Sequence, residues 1–229
     1  MFGAAMTEPV LFGASYSVYT RIARLALLEK GVAHGFEEVD VFDPAGPQDS
    51  HRRRHPFGRI PAFEHDGFEL YETVAITHYI DEVFPGPPLL PDDRRSRARV
   101  RQIISILDSY AYRPMVWDIF VERTRKPLRG EISDDAKVAA AIERADLCLD
   151  VLERFVAEGQ WLAGAGEGPS LADLHAAPMI AYLIAAPEGS ALLAGRRRLS
   201  AWWERISLRS SMQATPSPLI DSPPAMRST

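Results

Sequence analysis

Cysteine is almost missing from this chain: Cys148 stands alone among 229 residues. One thiol closes no internal disulfide, which excludes a disulfide-stapled secreted framework. Its neighbours Leu147 and Leu149 are apolar, so Cys148 reads as a buried core residue. Long hydrophobic runs are also lacking, and no stretch approaches the ~20 apolar residues of a membrane span. The first residues, MFGAAMTEPV, contain neither a basic start nor an apolar run of signal-peptide length, so a cytoplasmic location is expected. Positive charge is not in excess. The formal net charge of -5 argues against a general nucleic-acid binder, and the arginines from Arg94 to Arg101 read as one solvated helix face. His175 and the other histidines show no metal-ligand spacing, so no metal is expected. There is no internal repeat, and no convincing strand lies beyond residue 93.

The first part of the chain alternates strand and helix signals. Pro9 to Gly13 is short, apolar and closed by glycine, as a buried strand would be. Ser17 to Lys30 carries Ile22, Leu25, Ala26 and Leu28 at helical spacing, and Gly31 stops it. Phe36 to Val41 reads as a second strand, followed by a loop rich in Pro, Gly, Asp and Arg to Gly58. Ile60 to Glu64 and Phe68 to Leu70 flank Asp66-Gly67, a two-residue hairpin signal. From Glu72 to Val83 the period is again helical.

The stretch FPGPPLLPDD, residues 84–93, has the proline content of a stiff linker. Beyond it, helices are expected over Ser96 to Glu122 (bent or broken near Pro114), Asp134 to Ala157, Ser170 to Ala186 and Leu199 to Ser210. The fold class is therefore α/β plus all-α. Residues 1–83 form a β-α-β-β-β-α domain with a parallel pair and a terminal hairpin, 84–93 a linker, 94–213 an all-helical domain and 214–229 a flexible Pro- and Ser-rich tail.

Three segments carry a family resemblance. SVYTRIARLALLEKG is similar to the first helix of zeta-type and related bacterial glutathione transferases. HPFGRIPAFEHDGFELYETVAITHYI resembles the glutathione-binding core of the same family, usually read as N-P-x-G-x-V-P, a hairpin and then E-S. SLADLHAAP resembles the capping motif of the central helix in the family's second domain. Together, in order, they identify the chain as resembling the cytosolic glutathione transferases, of a serine-type, zeta- or phi-like kind. The resemblance implies a thioredoxin-like first domain, glutathione as co-substrate, a small electrophile as second substrate, and a homodimer.

It also implies roles. Ile60 and Pro61, joined by a cis bond, would pair with the cysteinyl backbone of glutathione as an added strand does. Glu72 would accept from the γ-glutamyl ammonium, and Thr73, where the family usually has Ser, would hold its carboxylate at a helix start. Arg59 stands where Lys or Gln is common and would pair with the glycyl carboxylate, a task that His51, Arg52, Arg53 or Arg54 could share. Ser17 occupies the position of the thiol-activating residue. Glutathione reacts as thiolate, and a hydroxyl donating to sulfur at a helix N-terminus favours the anion. Ser15, Tyr16, Tyr19 and Thr20 are the alternatives, and no cysteine stands nearby for disulfide exchange. Tyr110, Met115, Trp117 and Phe120 are candidates to line the second-substrate pocket, with a place in a core or dimer-interface stripe the competing role for each. Ser170 and Asp173, three apart before an apolar run, have capping-box spacing and a structural role. A protein that binds glutathione for regulation, with little catalysis, shares these features.

Overall fold

The computed structural model describes residues 7–156, 160–163 and 168–220. The chain forms two compact units that divide between Pro87 and Pro88.

In the first unit, β1 (Val10–Gly13) runs into α1 (Val18–Glu29), which returns the chain to β2 (Gly35–Glu38) beside and parallel to β1. Ser17 caps α1, its Oγ accepting from the Thr20 N–H at 3.2 Å. Gly31 ends the helix with a φ of 70°, a conformation that favours glycine because it has no Cβ. The second strand is shorter and begins earlier than its sequence pattern predicts. The segment read as a loop contains the helix α2 (Asp49–Arg54), whose polar sequence DSHRRR shows no apolar period.

The hairpin forms as Asp66-Gly67 predict, with φ of 52° and 75°, joining β3 (Ala62–His65) to β4 (Phe68–Tyr71). The sheet order is β2-β1-β3-β4, with β3 antiparallel to both of its neighbours. This is the thioredoxin-like arrangement. The helix α3 (Thr73–Val83) comes next and packs with α1; between them the buried Lys30 ammonium meets Asp81 at 3.1 Å.

The segment read as a linker is anchored at both ends. Phe84 is buried in the first unit, its ring 4.7 Å from that of His65. Leu89 is buried in the second, its carbonyl accepting the Leu171 N–H at 2.9 Å.

The described residues of the second unit form helices joined by loops, with no strand among them. Asp93 caps α4 (Arg94–Ile106), accepting from the N–H groups of Arg95 and Ser96. Pro114 does not break the helical path beyond α4. The helix widens instead into π-type turns over Leu107–Ala111 and Arg113–Arg125, then tightens into α5 (Lys126–Leu128). After it come α6 (Asp135–Phe155), α7 (Leu171–Ile184), α8 (Pro187–Ala194), α9 (Arg197–Ser207) and α10 (Ser210–Gln213). Residues 214–220 correct the expectation of a flexible tail. Thr215 and Ser217 are buried because their hydroxyls find internal partners, the Ser211 carbonyl and the Tyr182 phenol. Residues 221–229 lie outside the described residues.

No helix among the described residues is long and apolar enough to cross a membrane. The Cys148 thiol is buried, and burial raises its pKa.

Asp173 organises this unit. Its carboxylate is fully buried and accepts from the Ser170 N–H and Oγ, the Leu162 N–H and the Trp202 Nε1, all within 2.8 Å. The motif SLADLHAAP therefore ties α7 to α9 and to the chain before α7, beyond capping one helix. Asp173→Ala would strand the Leu162 and Trp202 donors in the core and remove the cap. The expected loss is about 3–5 kcal/mol. A chain of this size should then melt on the order of 10 °C lower, read by tryptophan fluorescence.

Candidate functional site

The register of the sheet decides which distant residues meet. Phe12 of β1 stands opposite Ala62 of β3, and Ala62 stands opposite Tyr71 of β4. The segment leaving β1 (Ala14 to Ser17), the segment entering β3 (Ile60-Pro61) and the residues leaving β4 (Glu72-Thr73) therefore emerge at one end of the sheet. Five of the six glutathione-site and catalytic candidates read from sequence (Ser17, Ile60, Pro61, Glu72 and Thr73) sit on these three segments, and Arg59 immediately precedes Ile60.

Ile60-Pro61 is the one cis bond among the described residues. Pro61 precedes the first ladder residue, so its missing N–H costs the sheet nothing.

Glu72 is exposed and has a φ of 72°. A non-glycine residue held there carries strain of about 1–3 kcal/mol, and such strain concentrates at functional sites. Its side chain makes no capping bond to α3. Thr73, the first residue of α3, is largely buried. The positive φ at Glu72 has no signal in the residue pattern.

The hydroxyls near Ser17 are not equivalent. Ser15 Oγ donates to Glu38 at 3.3 Å and Tyr16 to Asp40 at 2.6 Å. Burial, with that carboxylate beside it, holds the Tyr16 phenol far above its ordinary pKa, so it stays neutral. Thr20 is 1% exposed at the foot of α1, packed against Gly13. Ser17 is half-buried and uses its oxygen only to accept from Thr20, which leaves its own proton free to donate.

The basic loop resolves into separate tasks. Arg52 donates to the Pro47 carbonyl, and Arg54 lies over the Phe12 ring at 4.0 Å with Glu69 at 3.4 Å. Arg53 and Arg59 are exposed. His51 and His55 turn inward, each 2% exposed. The His55 ring packs 4.9 Å from Tyr71 and 6.3 Å from Phe57. Burial pushes the His55 imidazole below its ordinary pKa. Glu72 opposes that shift, and His51 and Arg59 add to it.

The three residues expected to line a second-substrate pocket are not gathered. Tyr110 is exposed on a cavity of about 560 Å³ in the second unit, with Ile106, Arg113, Arg144, Leu147 and Cys148 around it. Met115 is wholly buried in the core and reaches no surface of that unit. Trp117 is half-buried and donates to the Tyr112 hydroxyl at 3.1 Å. Phe120, named with them, is also fully buried and packs on Tyr182. All four stand on or beside the π-type turns that follow α4, where burial and not chain order separates them.

A family model described as the glutathione S-transferase N-terminal domain matches residues 11–88, and one described as the C-terminal domain matches residues 135–205. The chain belongs to the glutathione S-transferase family. Glutathione S-transferase F10 of Arabidopsis thaliana is 30% identical over 191 residues, spanning 82% of this chain and 87% of the relative. The crystal structure of glutathione transferase F7 from Populus trichocarpa is 31% identical, with a TM-score of 0.77 over 90% of this chain and 97% of that one. Glutathione S-transferase I of maize, solved in complex with an atrazine glutathione conjugate, is 26% identical with a TM-score of 0.79 over 91% and 96%. As a member of the family, the chain is a glutathione transferase.

The strain at Glu72 is separable from the rest of the fold. Glu72→Gly should relieve the positive φ at some entropic cost. A net gain of about 1 kcal/mol, or a rise in Tm of a few degrees, is expected by differential scanning calorimetry. An unchanged or lower Tm would show that the turn is not strained.

Proposed function

We propose that the protein binds glutathione at the end of the sheet where these three segments emerge and transfers it to small electrophiles through a thiolate stabilised by Ser17. In this reading Ile60 and Pro61 pair with the cysteinyl backbone. Glu72 accepts from the γ-glutamyl ammonium, Thr73 and the start of α3 hold the adjacent carboxylate, and Arg59 pairs with the glycyl carboxylate. The Ser17 O–H donates to sulfur, which lowers the thiol pKa. The sulfur lone pair then forms the new bond to the electrophile as its leaving group departs. Tyr110 is the residue of the helical unit assigned to the second substrate. Residues 1–83 are the glutathione-binding domain and 94–213 the helical domain. The protein is a serine-type, zeta- or phi-like transferase of the cytoplasm.

One observation carries the choice of Ser17. Its oxygen accepts while its proton remains free, whereas the protons of Ser15 and Tyr16 are given to carboxylates.

A pH–rate profile tests it. Ser17→Ala should raise the apparent pKa of bound glutathione and lower turnover at neutral pH by roughly ten- to a hundredfold, with glutathione affinity little changed. If Ser17→Ala matches wild type while Tyr19→Phe collapses, the hydroxyl is misassigned. Glu72→Gln should weaken glutathione binding by about tenfold or more in calorimetry, through loss of a charged hydrogen bond.

The protein also acts as a homodimer in this reading. Two surfaces support it: the exposed arginine face of α4, and Val74 on α3, which leaves an apolar side chain 38% exposed. Closed two-fold pairing is the commonest assembly. Sedimentation at micromolar concentration should give a species of twice the 25.5 kDa chain mass, and a lone 25.5 kDa species would refute it.

A further inference from the structure

Behind the residues assigned to glutathione stands one that touches their backbone. His51 lies on α2 with its ring buried, and its Nε2 is 2.7 Å from the carbonyl oxygen of Arg59. A carbonyl only accepts, so Nε2 donates its proton to it, and Nδ1 is the ring's other nitrogen. That Nδ1 is buried with no hydrogen-bond partner. A buried ring nitrogen without a partner costs stability, and a leucine in the same space would avoid the cost. What the imidazole provides in exchange is the bond on its other side.

That bond acts on a peptide, and a peptide is a rigid plate. The Arg59 carbonyl and the Ile60 N–H belong to the same plate, and the Arg59-Ile60 bond is trans, since the cis bond is the next one. In a trans unit the C=O and N–H point in opposite directions. Holding the carbonyl toward His51 therefore turns the Ile60 N–H away from α2. The base of this support is itself fixed, because the His55 N–H donates to the His51 carbonyl and the Gly58 N–H to the His55 carbonyl, both at 2.8 Å. The loop from α2 to Pro61 is braced at each end of the plate's approach.

We propose that His51 is a positioning residue: its Nε2–H holds the Arg59 carbonyl and thereby aims the Ile60 N–H at the cysteinyl backbone of glutathione. This rests on the glutathione site proposed above. The side chain does not touch the ligand, so its effect falls on glutathione affinity and leaves the sulfur chemistry alone.

The test compares His51→Leu, His51→Gln and His51→Asn in the full-length protein, with glutathione as the titrant. His51→Leu removes the donor and should raise the Kd and KM for glutathione about fivefold to tenfold. The kcat at saturating glutathione and the KM for the electrophile should stay within about twofold. His51→Gln carries an amide donor on a side chain long enough to reach and should recover most of the affinity, whereas the shorter His51→Asn should not. The Gln–Asn pair decides the matter even if His51→Leu does not fold.

Equal glutathione affinity in the Gln and Asn variants, or a His51→Leu protein with wild-type Kd, would overturn the proposal. So would a loss in which kcat and both KM values worsen together without rescue by Gln, since that pattern marks a structural role. Glu72→Gln separates this from failure of the site itself. If Glu72→Gln weakens binding and His51→Leu does not, only the positioning role falls. If neither weakens it, the site reading falls with it.

Discussion

The antiparallel register between β1 and β3 is the constraint on which the rest of the first unit depends. Phe12 opposite Ala62, and Ala62 opposite Tyr71, fix three chain segments to one end of a four-stranded sheet. A slip of one residue would turn every side chain of β3 to the opposite face and shift the three segments out of line. The pairing is well determined because Leu11, Phe12, Ala62 and Phe63 are all buried. The apolar effect that stabilises the sheet thus also assembles the site.

Around that end of the sheet the backbone is arranged more tightly than the side chains. A cis bond precedes β3, a positive φ precedes α3, and a buried imidazole holds the peptide beside the cis bond. The side chains that face solvent there (Glu72, Arg59 and Ser17) make few bonds within the protein. Groups left in this state keep their hydrogen-bonding capacity for a ligand, while the rigid frame behind them carries the entropic cost of ordering in advance. The second unit shows the reverse pattern. Two of its carboxylates are buried and saturated: Asp173 by four donors, and Glu122 by Lys126, Lys137 and the Asp134 N–H. Burial alone would raise the Glu122 pKa, but these partners more than offset it and bring it down to about 2. Such groups hold helices together and have nothing left to offer a substrate.

Two helices, α2 and the π-type stretch beyond α4, show where reading by period loses its grip. The first is too short and too polar to display an apolar face. The second has a clear apolar content but a changed number of residues per turn, so the residues projected onto one stripe do not share it. On this stretch Met115 and Phe120 lie in the core and Tyr110 on the surface. The proline at position 114, read as a bend or a break, is accommodated in the first turn of the widened stretch.

The sequence by itself determined the alternation of strand and helix, the glycine and Asp66-Gly67 turns, the caps at Ser17 and Ser170, and the family to which the chain belongs. These are local matters: each depends on residues within a few positions of one another, where steric limits and nearest hydrogen bonds decide the outcome. What only the tertiary structure decided is which hydroxyl keeps its proton free, that Glu72 adopts a left-handed φ, and that His51 reaches across eight residues to the Arg59 carbonyl. Those depend on partners brought together by sheet register and burial. A side chain's chemistry is legible in one dimension, but whether its donor or acceptor is already used depends on what packs against it in three.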